Sequence, residues 1–350
     1  MSTDVSAQSR VRCVLGVLAN PAVTLAAGFG LAALVIVASG ESPWESFGAM
    51  LSGAFGSGDA AGETLVKTIP LTLTGLAVAL GLRAGLFNIG AEGQLLAGGL
   101  AAAWIGYAIS LPGLLHIPLA LAAGIVAGGF WGFLAGILKA RRGVHEVIST
   151  IMLNYVAFYL THYLVTTPLK DIHTMAPQTP EIQSSARLAL LIPAGGVHWG
   201  ILIAILAVVW FAFLMSRSVR GYEFKTVGLA PDAARAAGIN VRGTITLAMA
   251  LSGALAGLAG AVEVMGVHHK FYDQFSPGYG FDSIAVALLG GNTAVGTALS
   301  ALLFGALRNG AVNMQLATDT PREIVTLIQA IVIVFAGMRF LRRPGVIRKA

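Results

Sequence analysis

Ten apolar runs alternate with short polar connectors along the chain, at 22–39, 66–82, 89–110, 117–138, 147–166, 199–215, 244–266, 281–291, 294–308 and 323–340. A helix needs roughly 20 residues to cross a hydrocarbon core about 30 Å thick, and most of the runs meet that length. The pattern predicts an all-α, polytopic membrane protein with about ten transmembrane helices, short broken helices among them. The run at 281–291 is too short for a plain crossing. As a helix its residues rise only about 16 Å, so it either crosses a thin spot or is re-entrant. The first run follows Arg10 and Arg12, as a secretory leader would. It is longer than the roughly 7–15 apolar residues of a leader core and reads as the first span.

Charge decides how the short run is counted. Cytoplasmic loops collect Lys and Arg. With the N-terminus inside and every run crossing, only Lys67, Lys170, Arg187, Lys270, Arg308 and Arg322 of the 22 basic residues lie outside. If 281–308 were one crossing, the basic tail "RFLRRPGVIRK" would fall outside. The sequence therefore predicts two short, broken elements joined by "GGNTAVG", with both termini cytoplasmic.

Composition supports the membrane reading and narrows the chemistry. Of the 350 residues, 56% are hydrophobic and 11% charged, against about 25% charged in a soluble domain. The mean hydropathy is +0.79. The net charge is +6, but the basic residues sit mostly at span ends rather than in one patch, which argues against a nucleic-acid partner. The single cysteine, Cys13, excludes an internal disulfide and a cysteine-rich metal site. No cofactor is expected. Gly124, Gly128, Gly132 and Gly136 recur every four residues, and Gly253 and Gly257 repeat the spacing. Such rows let helix backbones approach closely in lipid and predict a dense bundle.

Catalytic signatures are missing. A phosphate loop ends in Gly-Lys-Ser/Thr, and no lysine here follows a glycine, so the chain is read as a non-enzyme without its own ATPase motif. "HHK" with Asp273 nearby lacks a spaced third metal ligand and reads as a solvated loop. Polar side chains inside spans are more informative, because they are costly in lipid and usually face a cavity or the bundle interior. Asn88 and Glu92, in "GLFNIGAEGQLLAGG", lie four apart and share a face if helical. Glu146 starts a helix, where the dipole favours an acid. Asn154 lies two turns deeper, and Glu263 sits near the outer end of the seventh span. Asn88, Glu92, Asn154 and Glu263 are the candidates for a solute path; the alternative for each is a hydrogen bond that fixes the bundle.

One fragment breaks the pattern. "EFKTVGLAPDAARAAGINVRG" is too polar for a bilayer and too short for a domain. Pro231 suits a first helical position, Asp232 complements the N-terminal dipole, and Gly238 can end the helix. The expectation is a two-turn cytoplasmic helix between the sixth and seventh spans, either a connector or a rigid knob for a soluble partner.

Here the residues carry a resemblance. "DAARAAG" (Asp232, Ala233, Ala234, Arg235 and Gly238) resembles the EAA-x3-G signature of binding-protein-dependent ABC permeases, with Asp for Glu. The Ile and Leu-Pro that follow in maltose-type permeases are missing. "GLRAGLFNIGAEGQLLAGG", "EVISTIMLNY", "VGLAPDAARAAGI" (with Gly228) and "FDSIAVALLGGNTAVGTALSALLFGAL" resemble the branched-chain amino acid and simple-sugar permease family, in its nucleoside and simple-sugar subgroup. The resemblance covers about residues 64 to 340. It implies a single transmembrane permease domain over 1–350, with a cytoplasmic N-terminus at 1–21, a bundle at 22–340 and a cytoplasmic tail at 341–350. The segment 230–238 becomes a coupling helix carried by Gly228, Pro231, Asp232, Ala233, Ala234, Arg235 and Gly238, with small alanines allowing close approach to an ATPase groove. The implied partners are an ATP-binding subunit, in one form with two fused ATPase domains, a second permease subunit, an extracytoplasmic solute-binding protein or lipoprotein, and membrane lipid. The implied function is nucleoside import at the cell inner membrane. A simple sugar such as ribose or galactose is the alternative, and an ion-coupled secondary transporter is the rival outside the class.

Overall fold

A computed structural model describes residues 21–318 together with 321, 323, 324, 326, 327 and 330. Cys13, the N-terminal segment 1–20, most of the run at 323–340 and the tail 341–350 lie outside the described residues. The fold is mostly helical. The helices are α1 (Pro21–Ala38), α2 (Pro43–Phe55), α3 (Gly58–Arg83), α4 (Ala91–Ala108), α5 (Gly113–Arg142), α6 (Glu146–Thr166), α7 (Gly200–Arg217), α8 (Val219–Leu229), α9 (Pro231–Ala236), α10 (Val241–Glu263), α11 (Tyr279–Leu289) and α12 (Ala294–Thr318). Six of these are long and apolar enough to cross a membrane: α3, α5, α6, α7, α10 with its extension to His268, and α12.

Three features depart from the expectation drawn from the sequence. A small antiparallel hairpin, β1 (Leu190–Ile192) with β2 (Val197–His198), interrupts the all-helical plan. Helix α2 fills a stretch with no apolar run. It starts on Ser42, whose hydroxyl accepts from the Glu45 amide at 3.5 Å, with Pro43 at the first helical position. The second of the two expected short elements is a full helix of 25 residues. Its apolar run ends near 308, but the helix does not.

The chain divides into two compact units, 62–305 and a smaller one formed by 1–61 with 306–350. In the smaller unit, Asn309 donates through Nδ2 to the Gly53 and Ala60 carbonyls at 3.0 and 2.9 Å. Asn313 donates to the Ala49 carbonyl at 2.7 Å. These bonds give the polar residues of α12 buried partners, so the helix can run on past its apolar run without stranding the two amides.

In the larger unit α10 packs against α5 and α4, and the glycine rows form the contact. A Cβ at Gly128 would strike the Gly253 carbonyl and the Gly257 Cα, and one at Gly124 would lie 2.6 Å from the Ala261 Cβ. The two helices touch backbone to backbone, as the four-residue spacing predicts. Helix α10 ends in a π turn over Val264–His268. The long connector after α6 is tied to that turn, with the Leu188, Ile182 and Thr179 amides donating to the carbonyls of Met265, His269 and Phe271 at 2.9, 2.8 and 2.8 Å.

Candidate solute cavity and cytoplasmic element

Helix α3 does not run on into α4. Gly85 takes a left-handed conformation (φ +73°), and the chain turns through 84–90 before helix resumes at Ala91. Asn88 therefore lies in the turn, not on a helical face shared with Glu92. It is fully buried and committed to bonds that hold the turn. Its Oδ1 accepts from the Gly90 amide at 2.9 Å. Its Nδ2 donates to Gln94 Oε1 at 2.9 Å and to Ser252 Oγ on α10 at 2.8 Å. Asn154 clamps the same turn from α6. Its Oδ1 takes the Gly93 amide, one of the open donors of the α4 N-terminus, at 2.9 Å, and its Nδ2 gives to the Ile89 carbonyl at 2.9 Å.

Glu92 is placed differently. Its Oε2 accepts from the Gly280 amide at 2.6 Å, and Gly280 is in the first turn of α11. The contact is so close that a Cβ at Gly280 would lie 2.5 Å from the Glu92 Cα. Two helix N-termini, those of α4 and α11, thus converge on one carboxylate, and both present the positive ends of their dipoles to it. This pairing of interrupted helices around a polar group is common where backbone lines a transport cavity.

Glu92 also forms part of the wall of a cavity of about 560 Å³, with Leu96, Tyr155, Phe158, Tyr159, His162, Asp273, Gln274, Ser276, Gly278 and Phe281. Tyr155, Phe158, Tyr159 and His162 fall at i, i+3, i+4 and i+7, so one face of α6 supplies most of the aromatic wall. Tyr155 and Phe158 meet edge to face, with centroids 6.4 Å apart. His162 Nδ1 lies 2.9 Å from Asp273 Oδ2. The segment around Asp273, read from the sequence as a solvated loop, is therefore packed. Phe271 is fully buried, and rings of Phe271, Tyr272 and Phe275 meet edge to face. Among the described residues no group of three or more His, Cys, Asp or Glu is arranged to hold a metal.

Glu263 stands apart from this cavity. It is buried at the end of α10, 3.5 Å from His268 Nε2. His268 in turn packs its ring edge to face on Tyr272 and Phe275. Nearby, His198 is buried, its Nδ1 accepting from the Gly200 amide at 3.1 Å. Burial first, and the neighbouring His269 second, pull its pKa down to about 4.

At the other end of the unit, α9 is a six-residue helix built as the sequence predicts at its stop. Gly238 is left-handed (φ +83°). Its amide donates to the Arg235 carbonyl at 3.1 Å, and the Ile239 amide to the Ala234 carbonyl at 3.0 Å. These are the paired bonds of a Schellman stop, with Ile239 folding back on the helix. Ala234 is fully buried against Val227 and Val241, with Ile239 and Ile245 packed around them. It faces the chain's own core rather than outward, because a helix this short needs an inward-turned residue to seat it. Asp232, Ala233 and Arg235 are exposed, and Arg235 Nη1 pairs with Asp232 Oδ1 at 3.2 Å. Gly228, in the last turn of α8, touches Gly85. A Cβ on Gly85 would lie 2.8 Å from the Gly228 Cα, and one on Gly228 would lie 2.7 Å from the Gly85 amide nitrogen.

Residues 60–337 match the family model described as the branched-chain amino acid transport system/permease component. The chain belongs to that family. It is 43% identical over 326 residues to the guanosine ABC transporter permease protein NupP of Bacillus subtilis (strain 168), covering 92% of this chain and 94% of the relative. It is 38% identical to the nucleoside ABC transporter permease protein NupB of Lactococcus lactis subsp. cremoris, covering 92% and 91%. It is also 38% identical to the glucose ABC transporter permease protein TsgB13 of Haloferax volcanii, covering 90% and 86%.

The permease is thus a multi-pass inner-membrane protein whose relatives are membrane subunits rather than ATPases. Of the four polar residues singled out within its spans, the structure brings Glu92 to the cavity wall, uses Asn88 and Asn154 to hold the turn in front of it, and puts Glu263 in a separate buried pair. Asp273 was read as part of a solvated loop, and the polar and aromatic cavity residues that sequence reasoning passed over include Tyr155, Phe158, Tyr159, His162, Gln274 and Phe281. The α6 spacing of the first four was a readable signal.

Proposed function

We propose that the permease carries a nucleoside through an ABC importer, and that the cavity beside Glu92 lies on the path. The observation that carries this reading is the cavity's composition: aromatic rings from α6 and α11 beside a carboxylate, an amide and a His–Asp pair. Ring faces stack on a nucleobase whatever its identity, at about 1–3 kcal/mol per base. Glu92, Gln274 and Asp273 suit ribose hydroxyls or base edges. The relatives named for guanosine and nucleosides support the same class. A sugar is the second reading, favoured by the glucose permease at 38% identity.

In this reading the permease has ten membrane segments with both termini cytoplasmic. It pairs with a second permease subunit above an ATP-binding subunit, in one form with two fused ATPase domains, and an extracytoplasmic solute-binding protein or lipoprotein delivers the solute. The segment 230–238 docks on the ATPase through Pro231, Asp232, Ala233 and Arg235, while Ala234 and Gly238 hold the helix in shape. Movement of that element reaches the solute path through the Gly228–Gly85 contact, since Gly85 opens the turn that carries Asn88 and leads to Glu92. Uptake of tritiated guanosine, uridine and glucose into proteoliposomes holding the full assembly tests the reading. ATP-dependent guanosine or uridine uptake is expected. Glucose uptake alone would establish the sugar reading, and uptake driven by an ion gradient without ATP would overturn both.

A further inference from the structure

Between the C-terminal end of α5 and the N-terminal end of α10 lies a groove of about 840 Å³. Arg141 and Arg242 line it with Asn240 and Thr246, and Phe133, Ile137, Leu247 and Ala250 supply its apolar side. Lys139, two residues from Arg141, is committed to Glu146 at 2.7 Å. Among the described residues neither Arg141 nor Arg242 makes an ion pair, and no acid lines the groove. Two guanidiniums without an acidic partner thus line the same groove, beside apolar side chains of α5 and α10.

The apolar side continues along the same seam. This groove reaches Ala250 on α10, and a second cavity of about 330 Å³ begins at Leu251. Its walls are wholly apolar, with Leu255 and Leu258 on α10, Ile125 on α5, and Leu206 and Trp210 on α7. From Arg242 to Leu251 helix α10 climbs about 14 Å, close to half the roughly 30 Å hydrocarbon core, the depth of one leaflet.

We propose that this seam binds one anionic phospholipid, with its phosphodiester between Arg141 and Arg242 and an acyl chain along α10 toward Trp210. Guanidinium groups suit phosphate oxygens because they present paired donors in a plane. Basic pockets between helices at a membrane surface favour anionic headgroups. A free anion would leave the apolar side unused, and a soluble partner would not reach Leu251. The site is next to α9, since Asn240 and Arg242 follow its glycine stop, so a bound lipid would brace the start of α10 where the cytoplasmic element joins it.

The test uses the full chain purified with its co-expressed partner subunits. Retention of dioleoylphosphatidylglycerol and of dioleoylphosphatidylcholine is counted by native mass spectrometry, for wild type and for the double variant Arg141→Gln/Arg242→Gln. Both arginines are exposed, so assembly should survive. The expected result is a loss of about 30-fold in phosphatidylglycerol affinity, with phosphatidylcholine unchanged. Leu251→Trp, which fills the seam without altering charge, should also weaken phosphatidylglycerol binding. Equal retention by wild type and double variant would overturn the proposal. So would displacement of the lipid by millimolar inorganic phosphate, which would mark a soluble-anion site. Loss of the ATPase from the purified double variant with lipid retention intact would show instead that the groove docks a protein.

Discussion

Replacing Gly228 with alanine adds one methyl group, and its surroundings are all backbone. The new Cβ would sit 2.5 Å from the Arg83 carbonyl oxygen, 2.7 Å from the Gly85 nitrogen and 2.8 Å from the Ala84 carbonyl carbon. Ordinary carbon contacts lie at about 3.5–4.0 Å, so α8 must draw back by about 1 Å. No side chain can rotate away to absorb this, and Gly85 is already fixed in a left-handed turn. Overpacking of this kind costs about 1–3 kcal/mol. The permease should still insert, since Gly228 is outside the spans, and should still purify with its ATPase, since α9 is untouched. Solute-stimulated ATP hydrolysis and uptake should fall by roughly tenfold, the scale of ordinary coupling energies. Gly238→Ala is the comparison. It has the strain of a left-handed residue, about 1–2 kcal/mol, but no atom lies within 4 Å of its Cβ. If Gly228→Ala transports at the wild-type rate, or if both variants lose activity only in proportion to lost stability, the contact transmits nothing and the coupling route is wrong.

Three further outcomes follow from the geometry. Glu92→Gln keeps an acceptor for the Gly280 amide but removes the charge between two helix N-termini. The variant should still fold and purify with its ATPase, while uptake drops about tenfold or more, the scale of one charge-assisted contact at about 1.5–3 kcal/mol. His198 binds its proton more weakly folded (about 4) than at its ordinary value of 6.5, so the unfolded chain holds more protons between those values. Stability is full above about pH 6.5, falls as pH drops toward 4 by about 3 kcal/mol, and should fall less in His198→Gln when thermal midpoints are compared at pH 7 and 4.5. Gly128→Val drives two methyl groups into the backbone of α10 and should abolish membrane accumulation of the folded protein on an immunoblot, whereas Gly48→Ala, with nothing within 4 Å, should not.

How much was legible varied with the kind of signal. Spans such as α6 and α7 stood out because lipid burial requires unbroken apolar runs. The glycine rows signalled close backbone packing, because a four-residue period has few other uses in a membrane helix, but not that the rows of α5 and α10 meet each other. The stop at Gly238 was readable from a single residue, since φ +83° suits glycine. Helix α2 was missed because hydropathy does not register it, although Ser42 and Glu45 have capping-box spacing. Asn309 and Asn313 follow the apolar run that ends at 308, and only their carbonyl partners in the smaller unit show what α12 does beyond it. Asn88 and Glu92 share one motif yet do different work. The difference lies in what α10 and α11 bring to them, and no local pattern contains that. The cavity joins one face of α6 to residues more than a hundred positions away, including a histidine–aspartate pair whose two halves looked unrelated.

The α5–α10 seam also limits how the permease can move. Side-chain interfaces can shear, because rotamers offer neighbouring resting places; a seam of glycine against carbonyl has no rotamers. A one-turn slip of about 5.4 Å in one direction would bring Met249 toward the hollow now filled by Gly253, and in the other would bring Met265 toward Gly124. Either stroke jams on a methionine. The pair behaves as a keyed shaft that can tilt but cannot slide. Opening and closing of the path must then be carried by hinges at its margins, where the first turn of α11 meets α4 at Gly280 and the 84–90 turn rests Gly85 against Gly228.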